Sequence, residues 1–250
     1  MIPQLFQRHR GGRFVLAALV GGLLAVAPGL ASAFQVVPIS QEFDPTGRGA
    51  NQVFQVENDR EEPVTVTIAM AKRVVDIDGG ETHEETDDFT VFPTEIILQP
   101  KTSRVVRVQW IGEPAPASEL SYRIIAEETP LNMRRDTPGA SVFLTVRYIG
   151  SIYIVPKGAR HKLVVASAGS VDGSRLEVVL ENQGNRHAIV DNPSLTVTAG
   201  GVTKTIEGSV LAKTLTGENI LAGSKRRIVL PWPAGLPVGA VTAELKYSVQ

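Results

Sequence analysis

Cysteine is absent from the 250-residue chain, so neither a disulfide framework nor a thiolate metal centre organises it. Aromatic residues are scarce at 6%, and 25 basic side chains against 26 acidic ones leave a formal charge of -1. Such a chain has neither the basic footprint nor the stacking residues of a nucleic-acid binder. Histidine is also sparse: His9, His83, His161 and His187 are scattered without metal-ligand spacing. No glycine-rich phosphate loop follows a strand pattern. The nearest approach to a serine nucleophile elbow, Gly169-Ser170-Val171-Asp172-Gly173, is misspaced and reads as a turn. These gaps argue against an enzyme, and no cofactor or metal is expected.

What is present begins with an export signal. Arg8, Arg10 and Arg13 precede an apolar run from Phe14 to Val26, followed by Pro28, Gly29 and the small-residue site Ala31-Ser32-Ala33. Gly21, Gly22 and Pro28 interrupt the run, whereas a retained membrane anchor needs about 20 apolar residues. Residues 1–33 therefore read as a cleaved signal peptide, with Phe34 starting the mature chain. Cleavage removes three arginines and no acid, leaving 217 residues with 22 basic and 26 acidic side chains, a net charge of -4. No later stretch is long enough to span a membrane, so no stable membrane insertion is expected. The signal type suggests a bacterial periplasm.

The mature chain alternates with period 2. Val64, Val66, Ile68 and Met70 are apolar, with Thr65, Thr67 and Ala69 between them, the pattern of a strand with one buried face. The alternation recurs at Val106, Val108 and Trp110, at Leu120, Tyr122, Ile124 and Ala126, at Leu176, Val178 and Leu180, and at Ala243, Leu245, Tyr247 and Val249. No comparable window reads as an amphipathic helix. Turn signals such as Asp44-Pro45-Thr46-Gly47, Asp78-Gly79-Gly80, Gln183-Gly184-Asn185 and Gly200-Gly201 separate the runs. The pattern predicts an all-β protein of antiparallel sandwiches. At about 100 residues per sandwich there are two, divided at Pro156-Lys157-Gly158-Ala159-Arg160 into 34–156 and 157–250.

Three local features stand out. Asp76 to Asp88 holds seven acids and no Lys or Arg; its spacing does not fit the helix-loop-helix calcium motif, and a solvated hairpin loop is the favoured reading. His187 is expected at a turn or domain interface, and Trp110 and Trp232 in the core or an interface rather than in a carbohydrate platform. The third feature is Ser141 to Val155, fifteen residues interrupted only by Gly150, with a reach of roughly 50 Å at about 3.3 Å per residue. Its first half carries Val142, Leu144, Val146 and Tyr148 on one face. Pattern alone leaves two readings: a long core strand with a bulge at Gly150, or an exposed edge that adds itself to a partner sheet.

Several segments resemble the periplasmic pilus-assembly chaperones of the chaperone-usher type. They include Phe34 to Phe43 read as a first strand, Val53-Phe54-Gln55-Val56-Glu57-Asn58, Phe92-Pro93 with Leu98-Gln99-Pro100, and Ser121-Tyr122-Arg123-Ile124 with Glu128-Thr129-Pro130. The second half adds Leu180-Glu181-Asn182-Gln183-Gly184-Asn185-Arg186-His187, Leu221 to Arg227 and Pro231-Trp232-Pro233. The resemblance implies two immunoglobulin-like sandwiches in an L-shaped arrangement, which capture pilin subunits lacking their last strand and pass them to an outer-membrane usher. In that mechanism the long strand, preceded by the loop Pro130 to Ala140, inserts Val142, Leu144, Val146 and, as a fourth, Tyr148 into the subunit's groove. The family holds the subunit's terminal carboxylate with two basic residues, and those positions fall here on Ser40 and Ser151, which carry no charge. Arg147, Arg123 and Arg107 are the candidate replacements, each weighed against a plain solvated arginine. The rival reading is a structural or adhesive two-domain surface protein, and a secreted sandwich-fold enzyme comes third.

Overall fold

The computed structural model describes residues 34–129 and 145–249. The signal peptide, the loop Pro130 to Ala140, Val142 and Leu144 lie outside the described residues. The first half carries strands β1 (Phe34–Val37), β2 (Ser40–Phe43), β3 (Asn51–Asn58), β4 (Val64–Val75), β5 (Glu81–Glu85), β6 (Phe89–Phe92), β7 (Glu95–Leu98), β8 (Ser103–Trp110), β9 (Leu120–Thr129) and β10 (Arg147–Ile154). The second carries β11 (Leu163–Ser170), β12 (Arg175–Asn182), β13 (Ala188–Ala199), β14 (Val202–Ile206), helix α1 (Ser209–Leu215), β15 (Asn219–Ile220), β16 (Lys225–Pro231) and β17 (Val241–Val249). The protein is thus nearly all β, as the alternation predicts. Helix α1 is an exception that pattern missed. Leu211 and Leu215, one helical turn apart, are its buried residues and belong to the second core.

In the first half, the sheet β1-β3-β8-β6 faces a larger one, β2-β10-β9-β4-β5, with β7 also on β4. Between them lies a core of Phe34, Phe43, Phe54, Val66, Leu98, Val106, Ile124, Ile152 and Ile154. Val64, Val66, Ile68 and Met70 are all buried, because period-2 alternation sends every second side chain to the same face. A separate core of Leu176, Val178, Leu180, Val190, Leu195, Val197 and Leu230 joins the sheets of the second half. Trp110 lies in the first core and Trp232 packs against the second, its indole N–H donating to the Leu236 carbonyl at 2.8 Å.

Phe34 to Phe43 is two strands rather than one. β1 pairs antiparallel with β3, whereas β2 pairs parallel with β10 in the facing sheet. Pro38 lies in the gap and has no N–H to continue a ladder. Each half also ends a strand on a buried asparagine. Asn58 Nδ2 donates to the Glu62, Leu98 and Gln99 carbonyls. Asn182, fully buried, donates to the Arg186 and Ile220 carbonyls and accepts from the Lys162 and Gly184 amides. These side chains satisfy loop backbone groups that would otherwise be buried without partners.

The long segment is described from residue 145 onward, and the bulge that one of its two readings expects is absent. The described strand β10 covers eight residues, from Arg147 to Ile154. Its register against β9 runs unbroken through Gly150, so there is no bulge. Glycine is required there for close approach: a Cβ at Gly150 would lie 2.8 Å from the Ile39 carbonyl oxygen and 2.7 Å from Ile124.

Candidate functional site

The side of the larger sheet that faces away from the first core is built row by row. Across the strands, Ser40, Ser151, Arg123 and Ala71 share one register row; two residues along, Tyr153 pairs with Glu42 and Ser121, and Arg73 pairs with His83. Ser121 and Arg123 alternate with the core residues Tyr122 and Ile124, so local pattern dictates that both point outward. The same side carries the junction with the second half. Tyr153 stacks on His187 with ring centroids 4.1 Å apart, and Asn219 donates to its hydroxyl at 2.7 Å. His187 Nδ1 lies 2.8 Å from both carboxylate oxygens of Glu119, whose side chain is 0% exposed. Arg186 pairs with Glu42, and Arg227 with Asp78. His187 is therefore an interface residue, as its sequence context suggests. Beside it opens a cleft of about 800 Å³ lined by Ser40, Glu42, Tyr153, Arg160, His161, Arg186 and His187.

Ser40 and Ser151 stand opposite each other on β2 and β10. Neither is charged, but Arg123 brings a cation to Ser151: its Nη1 donates to Ser151 Oγ at 2.5 Å. Arg123 also donates through Nε and Nη2 to the two oxygens of Glu81, each at 2.6 Å. Arg73 Nε and His83 Nε2 meet the same carboxylate, both at 2.8 Å. Burial alone would raise the Glu81 pKa, yet the hydrogen bonds from Arg123 and His83 and the charges of Arg73 and Arg123 hold it at about 2. The other two arginines do not reach the serines. Arg147 is half-exposed and lies 3.5 Å from Glu127, its register partner. Arg107 is exposed on β8, in the facing sheet between Val53 and Phe92; the expectation that it points to the cleft is corrected, because its strand belongs to the other layer.

The acidic segment is a hairpin with five of its seven acids exposed, as its pattern suggests. It forms the β4–β5 hairpin and the approach to β6, and three of its acids bind distant side chains: Asp78 binds Arg227, Glu81 the arginine cluster, and Asp88 the Tyr122 hydroxyl at 2.8 Å. Sequence reasoning did not find Glu81, Arg73, Glu119 or Tyr153 as site residues. No spacing signal marks them, because sheet register and the junction alone bring them together.

On β10 the backbone groups divide between two sides. Val146 accepts from Glu128 of β9, whereas Ser151 and Val155 donate to Ile39 and Phe43 on the β2 side. By alternation, Arg147 and Ile149 aim their N–H and C=O groups to the β2 side as well. Among the described residues no strand pairs with them there, since β2 register begins at Ser151. Val146 and Tyr148 are half-buried against the first core, and Tyr148 lies 5.4 Å from the Phe34 ring.

Residues 45–160 match the family model of the pili and flagellar-assembly chaperones, PapD N-terminal domain. Over these residues the match agrees with the resemblance read from the sequence, and the matched family is one of assembly chaperones. No curated protein matches the chain. Solved structures of similar fold include the class 5 fimbriae chaperone CfaA, 14% identical with a TM-score of 0.55, covering 87% of this chain and 100% of that one. The Escherichia coli chaperone DraB is 19% identical with a TM-score of 0.54, covering 82% and 86%. A chain of the CsuC–CsuE chaperone-tip adhesion subunit pre-assembly complex of Acinetobacter baumannii is 15% identical with a TM-score of 0.54, covering 79% and 90%. At these identities the likeness is one of fold.

Proposed function

We propose that this protein is a periplasmic chaperone that binds pilin subunits by strand donation and delivers them to an outer-membrane usher, with domains dividing near Pro156. The observation that carries the reading is the edge of β10, paired with β9 on one side and open at Arg147 and Ile149 on the other. A strand paired on both sides along its length has nothing to donate. The solved CsuC–CsuE complex, a chaperone with a tip adhesion subunit, supports the choice of partner. The reading of a structural or adhesive surface protein has no comparable support.

The donor residues are Val142, Leu144 and Val146, with Tyr148 at the inner end. Each apolar side chain fully buried in a subunit groove contributes about 1.5–3 kcal/mol, and edge hydrogen bonds fix the register. Arg123, presented through Ser151, is the anchor for the subunit's terminal carboxylate, in place of the charges missing at Ser40 and Ser151. Guanidinium suits that role because its planar fork grips a carboxylate with two parallel hydrogen bonds.

The test is to purify the processed protein from its native host and weigh what remains bound by intact-mass spectrometry, beside Leu144→Glu. A small subunit carried by the wild type and lost from the variant is the expected result, since an unpaired charge is costly in an apolar pocket. Equal retention of that subunit by both proteins would refute the pocket assignment.

A further inference from the structure

The arginine cluster beside Ser151 is short of one acceptor. Two guanidinium groups and an imidazole converge on the single carboxylate of Glu81. Glu85, on the same strand, makes no ion pair with either arginine. The shortage is visible in one atom: Arg73 Nη1 is buried without a hydrogen-bond partner among the described residues, on a side chain only 9% exposed. A buried charged donor without an acceptor is costly, and such atoms are rare in folded proteins. The cluster as it stands has room in its charge balance for a second carboxylate.

We propose that this cluster is a carboxylate-exchange site in which Glu81 is an internal stand-in for the ligand. In the free protein Glu81 occupies the fork of Arg123; an incoming terminal carboxylate takes Arg123, while Glu81 stays with Arg73 and His83. The exchange gives Arg123 and Arg73 a carboxylate each, where in the free protein they share Glu81, and Glu81 keeps two of its three partners. Ser151 holds Nη1 throughout and so keeps the guanidinium on β10, the strand proposed to meet the subunit. The inference rests on the chaperone reading, and it adds that the anchor is competed for by the protein's own β5 strand.

The experiment uses a synthetic peptide of alternating apolar residues ending in a free carboxylate, and the same peptide as its amide. Binding is measured to the processed wild type, Glu81→Gln and Arg123→Gln. The wild type should prefer the free acid. Glu81→Gln should bind the free acid at least about fivefold more tightly, since one exposed ion pair already reaches that size and this one is mostly buried, with no gain for the amide, and Arg123→Gln should lose the preference. Equal free-acid affinity in wild type and Glu81→Gln, with the acid still preferred over the amide, would overturn the exchange and leave the chaperone reading intact. Binding of neither peptide by any of the three proteins would instead refute the reading on which the inference rests. Should Glu81→Gln fail to fold, the wild type alone decides by NMR: the Arg123 Nε–H resonance must move on saturation with the free acid, and an unmoved signal sinks the proposal.

Discussion

Proline placed at two neighbouring positions of β10 separates the edge that holds the fold from the edge offered to a partner. Tyr148 pairs with Ala126, and by alternation from Val146 its N–H faces β9. Tyr148→Pro removes that ladder hydrogen bond and the ring that meets Phe34 at 5.4 Å. The lost hydrogen bond and ring packing together cost about 3 kcal/mol or more, which lowers Tm by roughly 10 °C. Ile149 aims its N–H to the open side, and its side chain is 38% exposed. Ile149→Pro therefore deletes no internal bond, and proline is tolerated where the strand N–H faces outward; a loss within about 1 kcal/mol is expected, mainly from fitting φ. Subunit capture should respond in the opposite order of severity to fold. The ring blocks a backbone donor on the pairing edge, which is worth about 1 kcal/mol alone and more with the steric clash, so capture should fall at least about tenfold. Thermal unfolding and co-purification of subunit read the two effects. A Tm loss for Ile149→Pro as large as for Tyr148→Pro would show that the edge is already paired, and undiminished capture would show that it is not the donating edge.

Other substitutions probe the frame around the site. Gly150→Val should destabilise by about 1–3 kcal/mol in chemical denaturation, because the new side chain meets the Ile39 carbonyl and Ile124 rather than space; a neutral variant would mean that β2 can withdraw freely. Asn182→Ala strips partners from the Arg186 and Ile220 carbonyls and the Lys162 and Gly184 amides, and should cost about 2–4 kcal/mol, visible as a lower denaturant midpoint with an unchanged slope. The Glu81 carboxyl, held at about 2 against an ordinary value of 4.5, contributes stability that is fully present above pH 4.5 and lost as pH falls toward 2. The stability of wild type minus that of Glu81→Gln should accordingly decline with acidification across that window, and a flat difference would deny the ion cluster.

Much of this protein was legible in its sequence because strand alternation is local. The period of two in Val64 to Met70 or Leu176 to Leu180 sends side chains to a face whatever the sheet does next, and those residues form the two cores. The same pattern marked β10 as unusual, and reading Ser40 and Ser151 was enough to show that charges were missing. Glycine at 150 misled, since a bulge and a close backbone approach ask for the same residue, and Pro38 inside the first segment was not read as a change of sheet. What stands near what across strands could not be read at all. Arg123 reaches Ser151 because β9 and β10 pair in one register, and a slip of a single residue would turn its side chain into the core. Glu81 reaches Arg123 from more than forty positions away because a hairpin folds back along β4. The sequence by itself determined the strands, the two cores and the absence of cations at two positions; tertiary structure alone decided which arginine approaches one of those positions, which acid already holds it, and which half of β10 is left open.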